Sequence, residues 1–382
     1  MEKIKIRIAI ITNIITTYRK GFYDRLFIRN DIYVRVFCQD SMPGMNLISI
    51  HEQYKDNVKI IKYISAKKEK IAWQFLPWRE IINDFDVVFI DGNPRVLSDA
   101  LFATYLRIIN KKVVLWTMAH SYRGNKFAEY IRLIWSRIFP LIFVYTDKEA
   151  EFLRIKGFKS QFILGMNNGL DQKKIEEVIQ LWPEEKLKEW KLTNGFESRI
   201  VLVSTARLDP KNKFELVLFA IPKIVEKIPN LLWCAIGGGH EEVSLKNLSR
   251  TLRIEDHVSF IGPIYEEEKL APYFLSSQLF VHPASVGLSM LHAFGYGLPV
   301  ITHDCSTLHG PEYGAFTPGL TGRNYIYNDI SSLSQTIIQM LDEQSERNRM
   351  KESVQKIVRE LYNVDVMEER FVAMANYAAN HN

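Results

Sequence analysis

The sequence predicts an α/β protein built from two open parallel-sheet domains, and three observations lead there. A chain of 382 residues exceeds one ordinary domain of about 150 residues and is long enough for two separate cores. Apolar runs of strand length alternate with segments of helical period, the pattern of a parallel sheet covered by helices. That alternation stops in a polar stretch near the middle of the chain and then starts again.

Taken in order, the first apolar run is Ile6 to Ile11. The whole segment Lys3 to Ile15 has the charged-then-apolar look of a leader, but Asn13 interrupts it and no small-residue cleavage site follows, so a first strand is expected. Further strands are expected at Tyr33 to Phe37, Val87 to Ile90, Val113 to Trp116 and Ile142 to Tyr145, with helices such as Pro94 to Ile109 and Lys126 to Phe139 between them. The turn Asn168-Gly169-Leu170-Asp171 opens a lysine- and glutamate-rich stretch, Gln172 to Phe196, that has no strand pattern. This places a first domain at residues 1–170 and a second at 171–365. Strands resume at Ile200 to Ser204, Leu231 to Ile236, Val258 to Ile261, Leu279 to His282 and Pro299 to Thr302. The final segment, 366–382, reads as a helix with Phe371, Met374 and Tyr377 on one face, able to pack back on the first domain.

Composition narrows the function. Hydrophobic residues at 47% and charged residues at 24% are ordinary globular values, against disorder or a fibrous architecture. A formal charge of +5 is mild and scattered, with Lys67, Lys68 and Lys70 the one basic cluster. Nucleic acid is therefore not expected as a partner, while weak attraction to anionic lipid or phosphate is compatible with the balance. Cys38, Cys234 and Cys305 are odd in number and far apart, mostly within apolar runs, which reads as buried thiols in a reducing compartment without disulfides or a metal–thiolate site. The run Ile138 to Tyr145 is far short of the ~20 residues that span a bilayer. No membrane span is expected, and the location expected is cytoplasmic, with peripheral contact at the inner face of the membrane left open.

In open parallel sheets ligands bind beyond the carboxyl ends of strands, so the segments just after each strand carry the argument. After the first strand no G-x-G-x-x-G turn occurs, which removes the main support for a nicotinamide dehydrogenase. After Ile200 to Ser204 comes Thr205-Ala206-Arg207-Leu208-Asp209-Pro210-Lys211-Asn212-Lys213-Phe214, whose cations beside a helix start suit a diphosphate; a solvated basic loop is the alternative. After Leu231 to Ile236 comes Gly237-Gly238-Gly239-His240, which lets backbone approach a ligand closely or is simply a turn. After Leu279 to His282 a helix starts near Gly287 with its positive end facing outward, and His292 lies within that helix, as a ligand or as a packed histidine. Finally Gly310-Pro311-Glu312-Tyr313 and Gly319-Leu320-Thr321-Gly322 form a loop whose carboxylate is able to accept hydrogen bonds from sugar or ribose hydroxyls.

These four segments, in this order, resemble the C-terminal half of the GT-B glycosyltransferases of the family-four retaining type. There an Arg-Leu with a Lys five residues on, a Gly-x-Gly turn, a Glu-x7-Glu element before Gly-x-Pro-Val, and a Pro-Glu loop before Thr-Gly follow one another. Asp91-Gly92-Asn93-Pro94-Arg95, Leu115-Trp116-Thr117-Met118-Ala119-His120 and Asn168-Gly169-Leu170-Asp171 resemble the N-terminal domain of the same family. The resemblance implies two Rossmann-like domains facing a cleft and an enzyme that moves a sugar, hexose type, from a nucleotide-diphosphate donor to a glycan or lipid-linked acceptor. It implies retention, no metal and no cofactor beyond the donor as co-substrate, in surface polysaccharide or glycoconjugate synthesis.

By the same resemblance Arg207 and Lys213 stabilise the leaving diphosphate and His120 touches the donor sugar. Gly238, Gly287 and Leu288 offer backbone to the donor, Glu312 binds sugar or ribose, and Tyr18, Arg19, Asn93 and Arg95 contact the acceptor. The chain departs from the family in four places: Ala284 and His292 stand where the two glutamates belong, Asn212 stands at the lysine position, and the usual glycine pair after the first strand is missing. His292 is then expected to replace one carboxylate, and Lys211 or Lys213 to reach the phosphate from a shifted loop, with Lys213 preferred. A lipid-linked acceptor would meet Lys67, Lys70, Trp73, Trp78, Arg132 and Trp135, unless these are a solvated face and core tryptophans. Asp84-Phe85-Asp86 precedes its strand and reads as a strand-entry turn, not a metal element. Two other readings stay open: a nucleotide-sugar epimerase, and a non-catalytic nucleotide-sugar binding protein, to which the two missing glutamates lend weight.

Overall fold

The computed structural model describes residues 5–41, 49–66, 71–119 and 126–381. The chain divides into two compact units, Met1–Leu170 with Val364–Asn382, and Asp171–Asn363. In the first unit the strands are β1 (Ile6–Ile11), β2 (Ile32–Cys38), β3 (Val58–Ile60), β4 (Tyr63–Ala66), β5 (Ile71–Gln74), β6 (Val87–Asp91), β7 (Lys112–Trp116), β8 (Leu141–Val144) and β9 (Phe162–Gly165). In the second they are β10 (Ile200–Thr205), β11 (Leu231–Ile236), β12 (Val258–Gly262), β13 (Leu279–Val281), β14 (Val300–His303) and β15 (Gly322–Tyr325). The helices are α1 (Lys20–Ile28), α2 (Trp78–Asp84), α3 (Leu97–Ile108), α4 (Lys126–Ser136), α5 (Asp147–Ile155), α6 (Gln172–Gln180) and α7 (Glu184–Thr193). They continue with α8 (Glu215–Val225), α9 (Glu242–Thr251), α10 (Glu267–Leu275), α11 (Leu288–Gly295), α12 (Ile330–Asp342), α13 (Gln344–Glu360) and α14 (Val364–Asn380).

The first unit holds a seven-stranded sheet in the order β3-β2-β1-β6-β7-β8-β9, with β4 and β5 paired separately as an antiparallel hairpin. All pairs of the large sheet are parallel. Its strands read as unbroken apolar runs because both faces are covered. Ile8 and Ile10 face one cluster with α1 and α14, while Ala9 and Ile11 face another with α2 and α3. Phe371 sits at the centre of the first cluster, stacked on Phe89 at 4.3 Å and edge-on to Phe22 at 5.7 Å. Farther along α14, Tyr377 stacks on Phe162 of β9 at 3.8 Å.

The second unit holds a six-stranded parallel sheet in the order β12-β11-β10-β13-β14-β15. In both sheets the strand order reverses beside the first strand of the unit, β1 and β10, the place where open α/β sheets open a ligand crevice. The α/β class with parallel sheets expected from the sequence is what each unit has. The differences lie in short elements. The stretch Gln172 to Phe196 forms α6 and α7, and β15, Gly-Arg-Asn-Tyr, opens on Gly322, the last residue of the expected turn, since an edge strand held by backbone pairing to β14 needs no apolar run. Among the described residues no helix is long and apolar enough to cross a membrane.

Candidate functional site

In the second unit the segments that follow β10, β11, β13 and β14 meet at the carboxyl end of the sheet. Arg207 extends a guanidinium with 53% of its side chain exposed, its Nε 3.7 Å from Asp209 Oδ2. Asn212, at the family's lysine position, turns inward, and its Nδ2 donates to the Arg207 carbonyl at 2.6 Å. That bond ties the loop back on itself. Lys213 follows in the left-handed region, φ 53°. Its Nζ donates to Tyr327 Oη at 2.8 Å and to Asn328 Oδ1 at 2.7 Å, so the ammonium is held at the mouth of the sheet by the loop after β15.

The glycine turn after β11 packs closely on the neighbouring loop at two of its three glycines. A Cβ on Gly239 would lie 2.3 Å from the Leu208 carbonyl oxygen, and one on Gly237, at φ +146°, 2.0 Å from that of Ala206. Both glycines therefore serve contact between this turn and the Arg207 loop, which is tied by Leu208 N–H donating to the Gly238 carbonyl at 3.1 Å. Gly238 itself has room, since a Cβ there would first meet Pro263 at 3.5 Å. Beyond β12 the loop carries Tyr265, 93% exposed.

At α11, Gly287 is the N-cap and Leu288 the first helical residue. The Glu312 carboxylate, 8% exposed, lies beside them: its Oε2 is 3.7 Å from where a Cβ of Gly287 would be. A carboxylate at the positive end of a helix is favourably placed. His292, expected to touch the donor, is directed elsewhere. Its Nε2 is 2.7 Å from Glu267 Oε1 on α10, Tyr296 Oη donates to the same oxygen at 2.6 Å, and its ring lies edge-on to Phe274 at 4.8 Å. One turn into α11, position 292 faces the neighbouring helix, so the packed reading of this histidine is the one the structure has. Burial works to raise the Glu267 carboxyl, but the bonds from His292 and Tyr296 outweigh it and hold it below the ordinary value. A carboxylate is thus present next to position 292 although the sequence has none there.

Between Lys213 and α11 runs a ladder of rings that sequence reasoning did not single out. Lys213 Nζ lies 4.4 Å from the Tyr327 ring, Tyr327 is edge-on to His303 at 4.7 Å, His303 stacks on His309 at 3.9 Å, and His309 on Tyr313 at 4.1 Å. Val286 N–H donates to His309 Nδ1 at 3.2 Å, and His309 Nε2 donates to the His303 carbonyl at 2.9 Å, which fixes one neutral tautomer. Cys305 N–H donates to His303 Nδ1 and Ala284 N–H to His282 Nδ1. Burial, followed by the neighbouring imidazoles, pulls His303 down to about 3; burial above all pulls His282 and His309 down to about 4. All three are therefore neutral near pH 7. The available signal was position: His282 directly follows β13 and His303 ends β14.

In the first unit the corresponding carboxyl end gathers Arg19, Asp91 and Asn93. Arg19 lies over the faces of Trp116 at 5.1 Å and Tyr145 at 5.5 Å. Tyr18 is exposed and its ring is 6.0 Å from the Arg19 guanidinium. Asn13 Nδ2 donates to Asp91 Oδ2 at 3.4 Å. Burial raises the Asp91 carboxyl to about 6, although Arg19 and a backbone N–H of Asn93 pull the other way. Arg95 is joined to this group through its backbone, its N–H donating to Asn93 Oδ1 at 3.2 Å, while its carbonyl accepts from Ala72 N–H of β5 and its side chain is exposed. His120 lies outside the described residues. The chain leading to it is held by buried Glu149, which accepts from Ala119 N–H and Tyr145 N–H, both at 3.0 Å. The Thr146-x-x-Glu149 capping signature was the sequence signal for that residue.

Around Arg19 several buried polar atoms have no partner among the described residues: Asn13 Oδ1, Thr16 Oγ1, Arg19 Nε, Gln39 Oε1 and Nε2, Gln74 Oε1 and Trp116 Nε1. Native proteins leave few such atoms unmatched, and a concentration of them at one sheet end is what a hydroxyl-rich ligand or ordered water would satisfy. Among the described residues no group of three or more His, Cys, Asp or Glu is arranged to hold a metal ion.

Residues 186–357 match the family model "Glycosyl transferases group 1". A protein of Haemophilus influenzae described as an uncharacterized glycosyltransferase is 25% identical over 236 residues, 60% of either chain. A GDP-mannose-dependent monoacylated alpha-(1-6)-phosphatidylinositol monomannoside mannosyltransferase of Corynebacterium glutamicum is 24% identical over 234 residues, 56% of this chain and 58% of that one. These matches span about 60% of the relatives' lengths. Among solved structures, HepE of Anabaena in complex with UDP superposes with a TM-score of 0.71 at 13% identity, over 98% of this chain and 100% of the other.

Proposed function

We propose that this chain, whose second unit carries the group 1 match and whose fold is that of HepE, is a GT-B glycosyltransferase that moves a hexose from a nucleotide-diphosphate sugar to a hydroxyl of a glycan or lipid-linked acceptor. The pathway is surface polysaccharide or glycoconjugate synthesis, and the reaction proceeds with retention and without a metal. The observation that carries the reading is the convergence at the carboxyl end of the second sheet of an exposed Arg207, a Lys213 ammonium fixed by Tyr327 and Asn328, and the N-terminus of α11. Donor phosphates need that combination, and negative charge grows on them as the glycosidic bond breaks. The nucleotide-diphosphate ligand of HepE and the GDP-mannose dependence of the corynebacterial relative support the donor class.

In this reading Gly287 and Leu288 present backbone N–H groups to a phosphate, and Glu312 orients sugar hydroxyls beside them. The unpartnered polar groups around Arg19 and Asn93 receive acceptor hydroxyls, with Tyr18 at the rim. The acceptor oxygen attacks the anomeric carbon on the face the diphosphate leaves, and a leaving phosphate oxygen takes its proton. A second reading, a nucleotide-sugar binding protein without turnover, draws on the absence of carboxylates at Ala284 and His292.

The test is calorimetry of the purified full chain with UDP-, GDP- and dTDP-sugars, with a CMP-sugar as monophosphate control, each with and without EDTA, followed by nucleotide-release assays on glycan acceptors. One diphosphate class is expected to bind regardless of EDTA, and Arg207→Ala should lower turnover tenfold to a thousandfold, on the order of the loss seen when a donor to a developing charge is removed. Binding without turnover would favour the second reading, and absence of binding to every nucleotide sugar would overturn both.

A further inference from the structure

At the amino end of the first sheet lies a cavity of about 480 Å³ that no step of the proposed reaction uses. Lys112, Leu141 and Phe162 line it, and they are the first residues of β7, β8 and β9. The groups gathered around Arg19 lie at the other end of the same strands: Trp116, under the Arg19 guanidinium, is the last residue of β7. The five residues of that strand separate the two ends by about 13 Å at roughly 3.3 Å per step. The cavity has the size of a small-molecule pocket. Trp78, Trp135 and Arg132, which the sequence offered to a lipid-linked acceptor, are packed elsewhere: Trp78 lies on Phe102 at 4.7 Å, Trp135 on Phe139 at 5.0 Å, and Arg132 is 8% exposed. Lys67 and Lys70 lie outside the described residues.

The chemistry of its wall names the ligand. Arg107, Lys111, Lys112 and His381 line the cavity, and among the described lining residues there is no carboxylate. A basic residue in the last turn of α3 complements the dipole of that helix, which by itself accounts for Arg107. It does not account for Lys112, which belongs to β7, or for His381, which follows α14. Positive groups collected from separate elements repel one another, and burial already pulls the Lys111 ammonium below its ordinary value, with Asp86 acting the other way. The Asp86 carboxylate is itself engaged, its Oδ2 accepting from Arg7 N–H at 2.7 Å. An anion in the cavity relieves both penalties. Arg107 Nε donates to the Ile138 carbonyl at 3.1 Å and Lys111 Nζ to that of Ile82 at 2.7 Å, bonds that hold the two head groups at the wall and leave a guanidinium and an ammonium further protons to give. Beside the cations stands a stack of rings, Phe162 on Tyr377 at 3.8 Å and Tyr377 on His381 at 4.0 Å, and His381 Nδ1 donates to the Tyr377 carbonyl at 2.9 Å, which orients the imidazole. Clustered cations suit a phosphate, and the adjoining rings with Pro140 suit a carbon skeleton attached to it. A bare phosphate ion would leave most of the volume unfilled.

We propose that this cavity at the amino end of the first sheet binds a small soluble phosphate monoester, of the size of a sugar phosphate, at a site separate from the one that transfers sugar. Its ligand touches α3, the starts of β7, β8 and β9 and the end of α14 together, so occupancy stabilises the first unit by mass action. The proposal does not rest on sugar transfer, and its test uses neither donor nor acceptor. The full chain is titrated calorimetrically with glucose 6-phosphate, with glucose, with inorganic phosphate and with phosphatidylcholine vesicles that contain phosphatidic acid. The same titrations are made on Arg107→Gln/Lys112→Gln, on Arg207→Ala and on Ser160→Glu, which sets a carboxylate in the cavity at an exposed lining position without removing a cation. Saturable binding of glucose 6-phosphate is expected, tighter than that of inorganic phosphate and absent for glucose. It should weaken at least tenfold in Ser160→Glu and in the double variant, with the melting temperature of unliganded Ser160→Glu unchanged, and persist in Arg207→Ala. Four results would each overturn the proposal: no saturable binding of the free monoester, inorganic phosphate bound as tightly as the monoester, binding unaltered in both cavity variants, or phosphate recognised only on the vesicles. Binding lost in Arg207→Ala and kept in the cavity variants would place the monoester at the phosphate groups of the second unit.

Discussion

Asp91 ends β6 with its carboxyl buried beside Arg19, and burial holds it at about 6 against an ordinary 3.8. A carboxyl raised on folding contributes stability that is complete below the unfolded value and is lost as pH rises through the folded one. Asp91→Asn, which never ionises, is therefore expected to gain on the native chain as pH goes from 4 to 8. The shift should be on the order of 2 kcal/mol in favour of the variant, read as a few degrees in melting temperature across a pH series. A difference that stayed constant with pH would mean that Asp91 is ionised throughout and balanced by Arg19. From the sequence this residue was legible only as the first of the segment Asp91-Gly92-Asn93-Pro94-Arg95 that follows an apolar run. Its titration depends on how deeply the loop beyond β6 and the helix start at Arg19 cover it, and nothing local encodes that depth.

At the scale of elements, α14 shows what periodicity does and does not convey. Phe371, Met374 and Tyr377 are read from the sequence as one apolar face, and in the structure that face meets the first sheet, with Phe371 among Phe22, Phe89, Trp116 and Phe143. Phe371→Ala would open a cavity at the centre of that cluster. It is expected to cost about 3–5 kcal/mol of the first unit's stability, measured by denaturant unfolding; a loss under about 1 kcal/mol would mean that the cluster closes over the gap. The short elements were less legible. β9 and β15 carry four residues each, and β15 opens inside a glycine turn, so neither shows an alternation long enough to detect. The segment of α6 and α7 was legible as strand-free, and its helices pack through Ile175 and Val178 of α6 and through Trp190 of α7, which meets Phe196 at 4.9 Å and Tyr273 at 5.0 Å.

Across the whole molecule the two units carry opposite responses to acid. In the first, Asp91 and the buried Asp99 are both raised by burial, which favours the folded form as pH falls. In the second, His282, His303 and His309 are lowered to about 4, 3 and 4 by burial, so the stability they confer is present above about 6.5 and is lost as pH falls toward 4. The second unit is thus expected to melt at progressively lower temperature between pH 6.5 and 4. His309→Gln, which is able to accept from Val286 and donate to His303 without titrating, should flatten that dependence. Melts of the native chain and of the variant over this range check it; identical slopes would show that His309 contributes nothing to the acid response.

By itself the sequence determined the α/β class and its parallel sheets, because strands buried on both faces must be apolar throughout and helices must carry a period. The order of its motifs also carried the resemblance to GT-B glycosyltransferases, because ligand segments follow strands in chain order. Tertiary structure alone decided how those segments are used. Gly237 and Gly239 make room for the Arg207 loop, His292 turns to Glu267 on another helix, and Lys213 is fixed by Tyr327, 114 positions away. The ring ladder through His303 and His309, and the unpartnered polar groups around Arg19, depend equally on residues from separate strands and loops. The reason is one of range: periodicity and turn chemistry act over a few residues, whereas a side chain's partner is set by which elements the sheet order brings side by side.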